Sequence, residues 1–432
     1  MRIAVVGSGI AGLSCAHVLG PVHDVTLFEA DERLGGHSNT VTVEDPAAGP
    51  LSVDTGFIVH NDRNYPNLTR LLTALSVPVQ DTEMSFGVTD RNFGADQTLF
   101  TYRATNLRTL FADPRNLTRP TMWRMLADII RFYRAANQLL ETHDANPDPR
   151  LDSNDGTSLA DFLREGRYSP AFIQLHLVPM GASGWSADPA TFGSFPAISL
   201  FRFLRQHGLL GVRDRPQWRT IVGGSRAYVD AIVERFPGTT RTGTPVLGIT
   251  REPKMATVRT ANRWQRFDRV ILACHSDQAL RLLDDATIGE KEILGAIAYQ
   301  PNQATLHTDT SVLSPRRKAW AAWNYECPHP DRDPQRVATL TYDLTVLQRL
   351  PGAQRYLVSL NSDDRIDPAR VIRSFTYAHP VFDGPAIAAQ RRFDEIDGVI
   401  GTHFCGAYWG YGFHEDGITS ALRVCERLGV TW

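Results

Sequence analysis

Three glycines, Gly7, Gly9 and Gly12, follow the apolar run Arg2-Ile3-Ala4-Val5-Val6. Residues of this type and spacing act through their backbone. Gly7 permits a tight turn, Gly9 lets main-chain N–H groups approach a pyrophosphate, and Gly12 lets a helix pack closely on a strand. Ile10 and Ala11 lead to the helix N-terminus, which offers free N–H groups and partial positive charge to phosphates. Glu29 closes the unit, where a carboxylate suits ribose hydroxyls and disfavours a 2′-phosphate. A second cluster lies near the other end: Tyr408-Trp409-Gly410-Tyr411-Gly412-Phe413-His414-Glu415-Asp416-Gly417. The imidazole of His414 could move a proton near neutral pH. It could equally hydrogen-bond its own loop, and the sequence leaves both readings open. Tyr411 could wall a substrate channel or pack in the core. Glu415 and Asp416 read as helix caps.

Positioning these groups requires a βαβ unit. Its strands are residues 2–6 and 24–28, joined by a helix over 13–19. Ala30-Asp31-Glu32-Arg33-Leu34-Gly35-Gly36-His37 continues from the second strand. Its double glycine lets another backbone stretch pass close to the phosphates, and Arg33 adds a cation. Alternation over 41–53 predicts a hairpin, and a strand through Thr55, Gly56 and Phe57 follows. Met122, Met125, Leu126, Ile129, Ile130 and Tyr133 fall at helical spacing, with Arg124, Asp128 and Arg131 on the other side. That helix faces a core or rests on an anionic membrane surface. The stretch 198–204 is a second membrane candidate. Residues 146–157 read as a polar loop, and 181–185 as a bend of small residues. A Gly-Gly turn at 223–224 leads into a helix over 226–235. Strands are expected at 245–249, 256–260 and 267–274, with His275 ending the last. Residues 294–393 read as a mixed sheet with short helices. The chain closes on a strand into a turn over 401–407 and a helix over 418–428.

The motifs at both ends resemble the flavin-dependent amine oxidase and phytoene desaturase superfamily. The run of ten from Tyr408 to Gly417 is more specifically similar to bacterial flavoproteins encoded beside cyclopropane-fatty-acid synthases. The resemblance implies an α/β protein: a glutathione-reductase-like, FAD-binding Rossmann domain with a second α+β substrate domain. It places the FAD-binding domain at 1–83, 216–290 and 394–432, and the substrate domain at 84–215 and 291–393. FAD would be held by the glycine loop, Glu29, Ala30, Arg33, Gly35, Gly36 and His37. Thr55, Gly56 and Phe57 would pass the flavin ring, Val246 the adenine side, and Gly406, Ala407, Gly417 and Ile418 the flavin end of the cofactor. Two departures stand out. His37 occupies a position where the superfamily commonly has arginine, and Gln303 or its neighbours replace the lysine of amine oxidases. The resemblance implies an oxidoreductase that dehydrogenates a fatty acyl chain, with His414 and Tyr411 as catalytic candidates. A flavin amine oxidase and a redox-neutral fatty-acid isomerase are the alternatives. It also implies a lipid or acyl-chain substrate and a neighbouring methyltransferase as a partner.

The chain has 432 residues, enough for two domains. Its net charge of −2 argues against nucleic-acid binding. Its five cysteines are scattered without a C-x-x-C pair, so neither a disulfide framework nor a metal site is expected. The glycine motif begins at residue 7, so no signal peptide is expected and the protein is placed in the cytoplasm, with membrane association at the inner surface as an option.

Overall fold

The computed structural model describes residues 1–94, 96–145, 157–185, 192–211, 215–328 and 339–432. Five parallel strands form its first sheet, in the order Thr239–Arg241, Asp24–Phe28, Arg2–Val6, Arg269–Leu272, Thr402–Phe404. The three central ones are apolar on both faces because both are covered, one by helices and the other by the three-stranded sheet Val246–Glu252, Met255–Thr260, Trp264–Phe267. Ile3, Ala4, Val5, Val25, Leu27, Val270, Ile271 and Leu272 are all fully buried. One covering layer is the helix Ile10–Leu19, packed against the closing helix His414–Arg427. The two ends of the sequence therefore meet. Strands from three distant stretches build this one sheet, and their C-terminal edge is where a dinucleotide binds in such folds.

A second sheet has seven strands and mixed direction. Its order is Val371–Pro380, Tyr299–His307, Leu357–Leu360, Thr339–Asp343, Trp323–Glu326, Phe86–Phe93, Thr98–Arg103. Against it lies the helix Pro120–Ala145, whose Met122, Met125, Phe132, Ala136 and Leu140 are fully buried. The hairpin Thr40–Asp45/Gly49–Asp54 and a small sheet of Val59–His60, Trp218–Ile221 and Val79–Thr82 join the two regions. Asp54 is the main tie. Its buried carboxylate accepts hydrogen bonds from Thr40 Oγ1, from Ser225 N and Oγ, and from Gln348 Nε2.

Several local expectations are corrected. Residues 181–185 are not a bend but part of the helix Val178–Trp185, which follows a π-helical turn at Ile173–Leu177. A side chain at Gly181 would meet the ring of Phe192 at 1.9 Å, so helix packing, not a turn, demands the glycine. Asp128 is buried, accepting from Ser169 N at 2.9 Å and pairing with Arg131 at 3.0 Å, while Ile130 is 49% exposed. The stretch 198–204 lies in the helix Ala197–Gln206 with Ile198, Leu200, Phe201, Phe203 and Leu204 buried, which removes it as a membrane-facing segment. His275 does not end a strand; it precedes the helix Ser276–Leu282 as its cap. The expected loop at 146–157 lies almost wholly outside the described residues.

Candidate active site at the junction of the two sheets

Three backbone segments converge at the edge of the parallel sheet. Gly7 has φ +104°, and a side chain there would strike Ala273 O at 2.9 Å. Gly12 sits so close to Gly7 that a Cβ would lie 1.9 Å from its carbonyl oxygen. At Gly9, by contrast, a Cβ would meet nothing within 4 Å. The open space lies at the N-terminus of the helix Ile10–Leu19, where unpaired N–H groups point. Gly36 arrives from the second segment, 3.1 Å from Gly9 Cα by its would-be Cβ. Gly417 arrives from the third: its would-be Cβ lies 2.7 Å from Ile10 Cγ2, 3.8 Å from Ala11 N and 3.9 Å from Ala407 Cβ. Gly9, Ile10, Ala11, Gly36, Ala407 and Gly417, six of the expected cofactor residues, thus lie together.

Glu29 accepts from Ser8 N at 2.9 Å and from Asp31 N at 3.0 Å, so its carboxylate fixes the glycine loop. Ala30 beside it is exposed. The neighbouring segment follows, with Thr244 N donating to Glu29 O, and Val246 begins the next strand, buried beside Phe28. Arg33 spends its guanidinium on main-chain oxygens, at 2.8 Å from Gly36 O and 3.1 Å from Leu34 O and Ser38 O. It shapes the loop through Gly35 that carries His37. Gly406 donates its N–H to Ser420 Oγ, which anchors the closing strand to the closing helix, where Ile418 is fully buried.

Segments 37–39 and 55–57 run side by side. Phe57 N donates to His37 O and Thr55 N to Asn39 O, both at 2.9 Å, and a Cβ on Gly56 would sit 2.0 Å from His37 O. The Nε2 of His37 is buried without a hydrogen-bond partner among the described residues, and its ring faces those of Tyr377, His379 and His275 at 4.9, 5.5 and 6.0 Å. Burial and the neighbouring imidazoles hold His37 well below its ordinary pKa. A buried nitrogen left without a partner is costly, and an FAD phosphate or ribityl oxygen is the group this place would accept. The open face at Gly9, the helix N-terminus and this orphaned nitrogen fit FAD.

His414 lies in the first turn of the closing helix, not before it. Its ring stacks on Phe57 at 3.7 Å, and its Nε2 is 2.9 Å from Ser38 Oγ, which also bonds Tyr228 OH. Burial pushes its pKa down to about 3, so it is neutral at physiological pH. Tyr411 packs on Phe203 at 5.6 Å, and Phe413 stacks on the same ring at 5.4 Å. Both acids of the motif are caps. Asp416 accepts from Phe413 N, closing its own helix. Glu415 accepts from Asn67 N and Leu68 N, closing the helix Pro66–Ala74. Glu415→Ala should lower stability by about 1–2 kcal/mol and leave bound flavin unchanged. Thermal unfolding with absorbance at the flavin band checks this. An unchanged melting point with loss of turnover would instead give Glu415 a chemical role.

Sequence reasoning missed Ser38, Tyr228, Tyr377 and His379. Tyr377 and His379 sit on Val371–Pro380, the longest strand of the described chain, which was not anticipated. The alternation of Phe375, Tyr377 and His379 was the available signal.

The flavin-containing amine oxidoreductase family matches residues 10–429. The chain belongs to that family. Its cofactor is FAD. Among curated relatives, an L-amino-acid oxidase of Pseudechis australis is 62% identical over 40 residues, 9% of this chain and 8% of its own. One of Crotalus adamanteus is 47% identical over 57 residues, 12% of this chain and 11% of its own. These matches span only a small part of the relatives' length. Solved structures share the whole fold at low identity. The CLA-producing fatty acid isomerase from P. acnes has a TM-score of 0.68 at 15% identity, covering 99% of this chain and 98% of that one. Putrescine oxidase bound to putrescine gives 0.69 at 15%, covering 99% of each. Cyclohexylamine oxidase from Brevibacterium oxydans IH-35A gives 0.67 at 17%, also covering 99% of each. The family accounts for the mixed sheet packed over the Rossmann unit. This chain thus shares its fold with proteins as different as a fatty acid isomerase and a putrescine oxidase, so the substrate must be argued from the site.

Proposed function

We propose that this flavin oxidoreductase acts on an uncharged, elongated acyl chain, which it dehydrogenates. One observation carries the reading: the ionisable groups at the entry of the closing helix are all engaged or neutral. Glu415 and Asp416 are bound to backbone N–H groups, and burial holds His414 neutral. Around them stand Phe203, His207, Tyr411 and Phe413, an aromatic wall. A cationic amine finds no free carboxylate in this wall to pair with, whereas methylene groups gain from burial there. The resemblance puts Gln303 or its neighbours at the lysine position of amine oxidases, and Gln303 Oε1 accepts from Thr376 Oγ1 at 2.9 Å. The isomerase among the structural neighbours supports an acyl substrate in a second way.

FAD, when bound, supplies a hydride acceptor at N5. The protein's part is to aim a C–H bond and to shield the site from water. Phe57, stacked on His414, and the Ser38–Tyr228 pair fix the segment that passes the ring. His414 serves as the positioning residue of that assembly, with Tyr411 lining the acyl channel. A cavity of about 290 Å³, lined by Glu83, Arg103, Arg317, Trp320, Asp343 and Arg355 among others, is charged and lies away from this wall. We assign it no part in acyl binding.

Anaerobic mixing of the holoprotein with long-chain fatty acids or phospholipids is expected to bleach the flavin and give a product two hydrogens lighter by mass spectrometry. A product of unchanged mass with a moved double bond would make it an isomerase. Bleaching by polyamines and not by lipids would overturn the acyl reading.

A further inference from the structure

The surface of the helix Pro120–Ala145 and the turns before it has an unusual make-up. Leu107 is 75% exposed, Leu117 52%, Trp123 52% and Ile130 49%. They form one patch. Trp123 Nε1 donates to Leu117 O at 2.9 Å, and the Trp123 ring meets Phe111 at 5.7 Å, at the end of the short helix that Leu107 opens. Ile130 lies two turns along the same face, at i+7 from Trp123. Trp123 and Ile130 belong to a helix roughly 40 Å long, so the patch can lie flat on a plane.

The charge around it is mainly positive, although Arg103 is paired to Glu83 at 2.6 Å. Residues 103–134 hold seven arginines against two aspartates, a net of +5 in a chain whose total is −2. Both aspartates are buried: Asp113 is paired to Arg115 and Arg119, and Asp128 to Arg131 and Arg124. Arg108 and Arg134 are exposed, and neither has an ion pair among the described residues. Indole and leucine side chains within an arginine rim are the composition of a helix resting at a lipid–water boundary. A second copy of the chain fits poorly, because a two-fold contact through this face would set arginine against arginine. Beneath the patch, the buried side of the helix packs into the same apolar cluster that contains Phe203, Tyr411 and Phe413.

We infer that this face docks the enzyme on an anionic lipid bilayer, with Leu107, Leu117, Trp123 and Ile130 entering the interface and Arg108 and Arg134 meeting lipid phosphates. No helix among the described residues is long and apolar enough to cross a membrane, so the contact is peripheral. The inference does not depend on which compound reduces the flavin.

The test is flotation of the FAD-loaded protein with vesicles of phosphatidylcholine alone, or of phosphatidylcholine with phosphatidylglycerol. Partition onto the anionic vesicles is expected, weakening as salt is raised. R108E/R134E and L117S/W123S should each lower it by roughly tenfold or more. All these positions are exposed, so both variants should keep their flavin colour and melting point, which verifies the fold. Three results would overturn the inference: no partition onto anionic vesicles, equal partition onto both vesicle types, or binding that neither double variant changes. A dimer in gel filtration that L117S/W123S dissociates would also overturn it, by assigning the face to a second copy.

Discussion

Gly9→Val should give a folded protein without colour. Gly9 has φ −64° and ψ 179°, an extended conformation open to any residue, and none of the described residues lies within 4 Å of a Cβ there. The space it would fill is the one the pyrophosphate needs. Forcing an isopropyl group into a packed contact costs up to about 3 kcal/mol, which is about a 100-fold loss of FAD affinity. Activity should disappear with the cofactor, while the unfolding midpoint of the apoprotein stays within error of the parent apoprotein. The contrast is with Gly12 and Gly56, where a Cβ would lie 1.9 Å and 2.0 Å from a carbonyl oxygen. Substitution at either should damage the fold itself. Flavin absorbance after gel filtration, read beside circular dichroism, separates the two classes. A yellow Gly9→Val protein would refute the placement of FAD at this helix terminus.

Acid should unfold the protein well above the usual carboxylate range. His60, His176 and His307 are 1%, 5% and 0% exposed, and burial holds each down at about 4. His60 Nδ1 and His176 Nε2 lack a hydrogen-bond partner among the described residues, so neither ring has a place there for a second proton. In the unfolded chain each titrates near 6.5. Between these values the unfolded state binds protons that the folded state refuses. Stability is therefore full above about pH 6.5 and drains as pH falls through 4, by up to about 3 kcal/mol for each histidine. Asp54 and Asp416, pushed up to about 6 by burial, work in the opposite direction and offset part of the loss. The low-held His37, His379 and His414 add to it. Urea unfolding at pH 7.5, 5.5 and 4.5 measures the sum. The midpoint should fall at each step, and His307→Gln should flatten the slope. Equal midpoints at pH 7.5 and 5.5 would count against buried neutral imidazoles.

Much of the candidate cofactor cradle was legible in the sequence because its close contacts are made by backbone. Gly7, Gly12, Gly36 and Gly56 mark places where a side chain would strike main chain, and glycine is the only residue type that announces such a place directly. The hairpin over 40–54 and the helix over 226–235 were equally plain, since their residues alternate or recur with a single period. The first turn of the closing helix was misjudged. His414 and Asp416 are poor interior helix formers, and it took the capping contacts of Asp416 to start the helix there.

Local sequence thus determined the nucleotide-binding unit, its glycine contacts and the assignment to a flavin-binding fold, because those depend on neighbours within a few residues or on one βαβ unit. Tertiary structure decided what the polar side chains do. Glu415 caps a helix almost 350 positions away, Asp54 binds three separate segments, and His37 finds Tyr377 and His379 on an edge strand of the other sheet. It also decided that Asp128 is buried and Ile130 exposed on the same helix. A carboxylate or imidazole can serve as cap, tie or catalyst with identical local sequence, and only the donors and acceptors that folding brings within about 3 Å choose among them.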